Sequence, residues 1–446
     1  MPTDITVSVN DERFIVPISE TSSEFVAGFL SKAKENNLIR AMGSTGERQD
    51  GFIRVPSLDD WFSRLNNPIG TDMLTDGHDE YSGSEDGSEI GARVDGINGR
   101  WTEGPTGEWE DEWYAVHNYL RYGGSAVIAG TGSKQNTVSS RDTLQNYTGQ
   151  LDVLFAAPSQ AQGASLELAN ADLAHVANTR TDVVSILGAG FSGDQIQTVT
   201  TGVDTNVTGL SGSTLSQYTF IAPGTKFHLK TSQNIQVESD FDFLKETFLT
   251  PDVAGCFART EQSGRSFKSP AGLERGKILD VVRIGKVVSD TEYDTLFNAG
   301  LNPIRTFPEG SFLFGDKTGE AVPDSVVTPT SGTVSRAGVT VFTRINVVRT
   351  FLYLKKVIGE ASRRYLFEIN DAATRQSFIS TVTPILRSVQ AGRGISEFKV
   401  VCDQSNNTDA VINNNEFVTD VFIKPTKSIN FIRLRFTNKD NDQTLA

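Results

Sequence analysis

Apolar residues come first in short unbroken blocks and later in helical repeats. SSEFVAGFL (22–30), SAVIAG (125–130), LDVLFAAP (151–158) and TDVVSILG (181–188) each hold a run of four to six largely apolar positions bounded by turn residues. Such runs fit strands buried on both faces. Between them, YAVHNYLRYG (114–123) and SLELANADLAHVANTR (165–180) have helical length, so strand and helix alternate and a parallel sheet with crossover helices is expected. PSLDDWFSRL predicts a helix opening on Ser57 with acids in its first turn. Further on, the pattern predicts short strands within 217–238, a helix over 242–258, a strand over 278–284 and a helix over 289–298.

The last third has a different rhythm. In INVVRTFLYLKKVI, Val347, Phe351, Leu354 and Ile358 recur at helical spacing, with Arg349, Lys355 and Lys356 elsewhere on the helix. Phe378, Val382, Ile385 and Val389 repeat that spacing, although Pro384 should kink or end their helix. YLFEI, SEFKVVCD, EFVTDVFIKP and SINFIRLRF read as strands, and ITVSVNDERFIVP reads as two extended segments flanking Asn10-Asp11. Polar, Gly-rich stretches at 67–111, 189–215 and 319–338 read as loops or linkers. The expected architecture is multi-domain, α/β and α+β: an arm at 1–22, a mixed α/β body at 23–335 and an α+β unit at 336–446 ending in a terminal arm strand.

Charge modifies this picture. The formal net charge of −14 argues against a general nucleic-acid binder, which needs a basic face. The distribution is uneven: residues 1–120 carry 9 Lys/Arg against 23 Asp/Glu, and residues 336–446 carry 16 against 10. Self-assembly or docking on an acidic partner is therefore plausible chemistry. Two cysteines, Cys256 and Cys402, make no disulfide framework and fit a reducing compartment. The N-terminal residues lack a signal-peptide pattern, and no run of about 18 apolar residues occurs, so neither secretion nor membrane insertion is expected.

Candidate chemistry fails on context. Gly188-Ala189-Gly190-Phe191-Ser192-Gly193 has the glycines of a dinucleotide fingerprint, but the following DQIQTVTTGV is β-branched and broken by Gly202, where an amphipathic helix should open. A Gly-rich surface loop is the better reading, with an oxidoreductase kept as an alternative. None of His78, His117, His175 and His228 stands in a metalloprotease or nucleophile-elbow motif, and His175 reads as a packed or surface residue. Cys402 reads as a buried, inert thiol. DQSNNTDAVINN fails as a calcium loop because Thr408 and Asn414 stand where Gly and Glu are needed. No catalytic residue, cofactor or metal is assigned.

From PDVAGCFART (251–260) onward the sequence resembles the contractile tail sheath proteins of myoviruses, nearest the T4-like branch. The motifs are SPAGL (269–273), LFNAGLNPIRTFPEGSFLFGDKT (296–318), INVVRTFLYLKKVIG, RYLFEINDAATRQSF and the FKVVCDQSNNTDAVINNNEFVTDVFIKPTKSINFI ending. Departures are the absence of the P-G-V-Y-V opening of many sheaths and a length short for that branch. The resemblance implies a non-enzymatic subunit stacked in six-fold rings around a tail tube. Its contraction would drive the tube into a host on energy stored at assembly, without nucleotide hydrolysis. Its body would be subtilisin-like in shape without the protease triad.

Implied partners are further copies of itself, the tube protein, and baseplate and tail terminator proteins. The implied location is the virion, after assembly in the host cytoplasm. A bacterial contractile injection device is the alternative setting. Strand donation between subunits would use Ile5, Val7, Val9, Phe417, Val421, Ile429, Phe431, Ile432, Leu434 and Phe436. Arg349, Lys355, Lys356, Arg363, Arg364 and Arg375 are the candidates for facing an acidic tube.

Overall fold

The computed structural model describes residues 6–9, 12–15, 25–34, 52–64, 94–95, 100–101, 108–131, 140–157, 163–189, 215–229, 244–263, 267–322 and 340–428. Most of the 67–111, 189–215 and 319–338 stretches lies outside them. So do Ile5, Ile429, Phe431, Ile432, Leu434, Phe436 and the side chains of Val7 and Val9.

β1 (Thr6–Val9) and β2 (Glu12–Ile15) pair antiparallel, Val7 opposite Phe14, as the two extended segments around Asn10-Asp11 suggested. A larger sheet follows, built from β3 (Val26–Lys34), β4 (Phe52–Val55), β7 (Ser125–Thr131), β8 (Val153–Ala156), β9 (Val184–Ala189) and β10 (Thr219–Pro223). Between β4 and β7 come α1 (Leu58–Arg64), the two-residue β5 (Val94–Asp95) and β6 (Arg100–Trp101), and α2 (Glu108–Leu120). The sheet order is β10-β9-β8-β3-β7-β4, parallel throughout except for the antiparallel edge strand β4. The runs of continuous apolar residues thus occupy the centre of a parallel sheet.

Helices cover both faces of this sheet. α3 (Ser140–Asn146) and α4 (Gly163–Arg180) lie on one face, where Leu144 and Leu154 crowd the flat Gly28. α2 and α5 (Thr250–Gln262) lie on the other, where Tyr119 meets Phe155 at 5.1 Å and Phe155 meets Phe29 at 5.2 Å. Residues 28 and 29 therefore point to opposite layers, as the period of two in a strand requires. Arg180 ties α4 to α3 by donating to the carbonyls of Leu144 and Tyr147.

Several expectations change in detail. The helix predicted over 242–258 divides into β12 (Leu244–Phe248) and α5, because Leu244–Phe248 pairs with β11 (Thr225–Leu229) and Pro251 is suited to a helix start. Of the strand predicted over 278–284 only β13 (Arg283–Ile284) pairs, also with β11. α6 (Asp290–Asn298) keeps its predicted place, opened by a capping box between Ser289 and Glu292. β14 (Ile304–Phe307) and β15 (Gly310–Leu313) then form a hairpin.

The C-terminal part comprises α7 (Ile345–Ser362), α8 (Ala372–Ala391), β16 (Ile395–Val401), α9 (Asp409–Asn413) and β17 (Asp420–Pro425). YLFEI is not a strand: a 3₁₀ turn covers Arg363–Tyr365, and Phe367 at φ +70 takes the left-handed region that interrupts extended backbone. α8 continues through Pro384, which is exposed, while Val382 and Leu386 on either side stay buried. The main core includes Ile345, Val347 and Val348, whereas Leu354 joins a second cluster with Phe378, Val382, Leu386, Val389 and Ile395. One helix is therefore rooted in both cores.

Candidate assembly interface

Of the candidate catalytic side chains, His78 lies outside the described residues and most of the others are packed away. His117 and His228 are buried, and burial lowers their imidazole pKa values to about 3 and about 4. His117 stacks on Trp113 at 5.1 Å, and His175 is exposed on α4. Cys256 and Cys402 are buried free thiols, and desolvation pushes the Cys256 thiol up to about 12. The deepest charges are Lys226 and Asp252. Lys226 Nζ lies 2.7 Å from Asp252 Oδ1 and donates to the Leu279 carbonyl at 2.9 Å, while Tyr122 donates its hydroxyl to the same carboxylate oxygen at 2.9 Å. Burial raises the Asp252 pKa, opposed by the Lys226 charge. This buried network joins β11 to α5.

In DQSNNTDAVINN, the Asp403 carboxylate accepts from the Ser405 amide and hydroxyl. Among the described residues no group of three or more His, Cys, Asp or Glu could hold a metal ion. No helix among them is long and apolar enough to cross a membrane.

The six basic candidates separate. Arg349 is buried, donating to Glu261 at 2.8 Å and lying 5.1 Å from the centre of the Phe257 ring. Lys355 is buried and donates to the Thr181 carbonyl at 3.1 Å. Lys356 pairs with Asp152 at 2.7 Å, and Arg375, also buried, donates to the Asn370 side chain at 2.8 Å. The expected outward role is therefore corrected for Arg349, Lys355 and Arg375: their charged ends serve contacts inside the chain. Arg363 is half-buried, with Nε and Nη2 buried, and Arg364 is the one exposed residue of the six.

Of the strand-pairing candidates, Phe417 packs edge-on against Phe378 at 5.4 Å in the second core, and Val421 pairs with Val400. β16 and β17 form an antiparallel pair, and among the described residues neither has another strand beside it. On β17 the even positions Asp420, Phe422 and Lys424 are exposed, while Val421 and Ile423 pack on the core. Phe422 is 59% exposed. Two open strand edges next to an exposed aromatic present main-chain donors and acceptors to an incoming strand.

The resembling motifs converge on the junction between the two cores. Asn302, fully buried, donates to the carbonyls of Ile221 at 3.0 Å and Lys317 at 2.9 Å and accepts from the Lys317 amide at 2.7 Å. Thr318 bonds the Phe342 carbonyl at 2.8 Å. Asp316 accepts from Arg344 at 2.6 Å and from the Ser428 hydroxyl. The sequence offered these as motif letters; their partners lie 15 to 112 positions away.

Residues 340–439 match the family described as phage tail sheath C-terminal domain. The chain is 39% identical over 199 residues to the tail sheath protein of Vibrio phage KVP40, covering 44% of this chain and 27% of that one. It is 40% identical over 189 residues to the tail sheath protein of Enterobacteria phage T4, covering 42% and 26%. The match thus spans about a quarter of the length of these curated relatives. Among solved structures, the anti-feeding prophage helical sheath in its contracted state aligns with a TM-score of 0.60 at 15% identity, covering 97% of this chain and 99% of that one. The sheath complex of an extracellular contractile injection system, also contracted, gives 0.58 at 14% identity over 98% and 99%. Residues 340–439 are thus similar to the phage tail sheath C-terminal domain, and the chain as a whole shares its fold with the chains of contractile sheaths.

Proposed function

We propose that the chain is a structural, non-enzymatic subunit of a contractile phage tail sheath. It polymerises as six-fold rings around a tail tube and contracts to drive the tube through a host envelope, without nucleotide hydrolysis. One observation carries this reading: the likeness to contractile sheath chains extends over nearly the whole of both chains, while the C-terminal unit matches the tail sheath family. Its setting is the virion, after assembly in the host cytoplasm. Its partners are further copies of itself, the tube protein, and baseplate and terminator proteins; nucleic acid and membrane insertion play no part. Identities near 40% to phage proteins, against 14–15% to injection-system sheaths, favour the phage tail over a bacterial device.

An open helical lattice needs heterologous contacts, and a strand added to a sheet edge supplies them through main-chain hydrogen bonds. The β16–β17 pair is the receiving edge in this reading. Residues 5–9 and 429–436 are the donated segments; β1 already pairs with β2, so its donation carries the hairpin along or exchanges its partner. The exposed Arg364 faces the tube in this reading, where ion pairs worth at most about 1 kcal/mol each can be released on contraction.

Negative-stain microscopy with sedimentation of the purified protein tests this. Tubules or ring stacks in the parent, and their loss on truncation after Ser428, are expected. A parent that stays a monodisperse monomer, or truncation that leaves tubules intact, overturns strand donation.

A further inference from the structure

Asp316 belongs to the FLFGDKT stretch and is almost wholly buried. Its Oδ1 accepts from Arg344, which immediately precedes α7, and its Oδ2 accepts from Ser428, three residues past the end of β17. Its own carbonyl accepts the Ile345 amide at 2.9 Å. Around this carboxylate, Asn346 donates to the Thr426 carbonyl at 2.9 Å, and the Thr426 amide donates to the Gly394 carbonyl at 3.0 Å. The entrance and the exit of the C-terminal unit, 84 residues apart in the chain (Arg344 to Ser428), thus meet on one body side chain.

We propose that Asp316 is a positioning residue for assembly, a root clasp that fixes residues 426–428, the stretch leading into the donated segment proposed above. This rests on the strand-donation reading above. A donated strand must reach a neighbour's edge in register, and a one-residue slip turns each of its side chains to the opposite face. Freezing residues 426–428 removes freedom from the root of the segment before it binds, so less ordering remains to oppose pairing. The charge of a buried carboxylate makes both of its hydrogen bonds stronger than neutral ones.

The test uses Ser428→Ala and Asp316→Asn, with Ser428→Thr as the conservative control. Trypsin cleavage after the exposed Lys427 is followed in dilute, unassembled protein, and tubule formation is scored by negative stain. Ser428→Ala should keep the parent's thermal midpoint, be cut on the order of tenfold faster as the root opens locally, and form few tubules. Ser428→Thr should restore both properties, and Asp316→Asn should behave like Ser428→Ala if it folds. Unchanged cleavage in Ser428→Ala overturns the clasp. Faster cleavage with undiminished tubules overturns its role in assembly. If the parent itself never forms tubules, the sheath reading fails and takes the assembly role with it, while the cleavage ratio still decides the clasp.

Discussion

Lys356 Nζ lies 2.7 Å from Asp152 Oδ1, and the other oxygen of that carboxylate accepts the Val26 amide at 2.9 Å. One aspartate just before β8 therefore holds the first residue of β3 and the second turn from the end of α7. Beside it, Lys355 donates to Thr181, whose φ of +56 is left-handed. The two lysines fasten the C-terminal helix to the ends of the body's parallel strands.

Charge reversal at Lys355 and Lys356 should consequently act on folding. Two carboxylates would face Asp152 and the Thr181 carbonyl, and the double variant should lose about 3 kcal/mol or more in urea unfolding of the isolated protein. Arg364→Glu, on the exposed turn, should change stability by no more than about 0.5 kcal/mol while weakening co-assembly with tubes. Equal stability of the double lysine variant and the parent would contradict the buried contacts.

Lys226→Met should destabilise by about 3–5 kcal/mol, since it strands Asp252 without its cation in a dry interior. Adding Asp252→Leu should recover much of that loss, because the uncompensated charge is then gone. A double variant no better than the single one would mean that packing, rather than the ion pair, dominates at this position.

Acid should weaken the fold through its histidines. Both folded pKa values lie below the ordinary 6.5, at about 3 for His117 and about 4 for His228, because burial disfavours the imidazolium. The unfolded chain therefore binds more protons between about pH 6.5 and pH 4, and stability falls as pH drops through that window. At pH 5 each histidine should cost about 2 kcal/mol relative to pH 7.5. Denaturant titrations at the two pH values measure the change, and His228→Leu should remove about half of the histidine contribution.

Gly300→Ala should cost about 2–3 kcal/mol. Gly300 follows α6 at φ +87, and a Cβ there would come within 2.8 Å of the Val322 Cα. Left-handed geometry and a backbone obstacle act together, so repacking a side chain cannot relieve the clash. Thermal denaturation of the variant checks this.

Sequence by itself determined the elements whose signals are local. Unbroken apolar runs specified β7, β8 and β9, helical spacing specified α7 and α8, and Ser289 with Glu292 opened α6, since each depends on residues a few positions apart. The C-terminal motifs likewise pointed to the sheath family before any partner was known. Tertiary structure decided what those motifs touch and which charges face outward. Arg349 and Lys355 read as tube-facing because Glu261 and Thr181, which receive them, lie 88 and 174 residues earlier. YLFEI looked extended until Phe367 turned left-handed. Spacing along a helix or strand sets which side chains share a face, but whether that face meets water or a buried carboxylate depends on segments the local pattern does not contain.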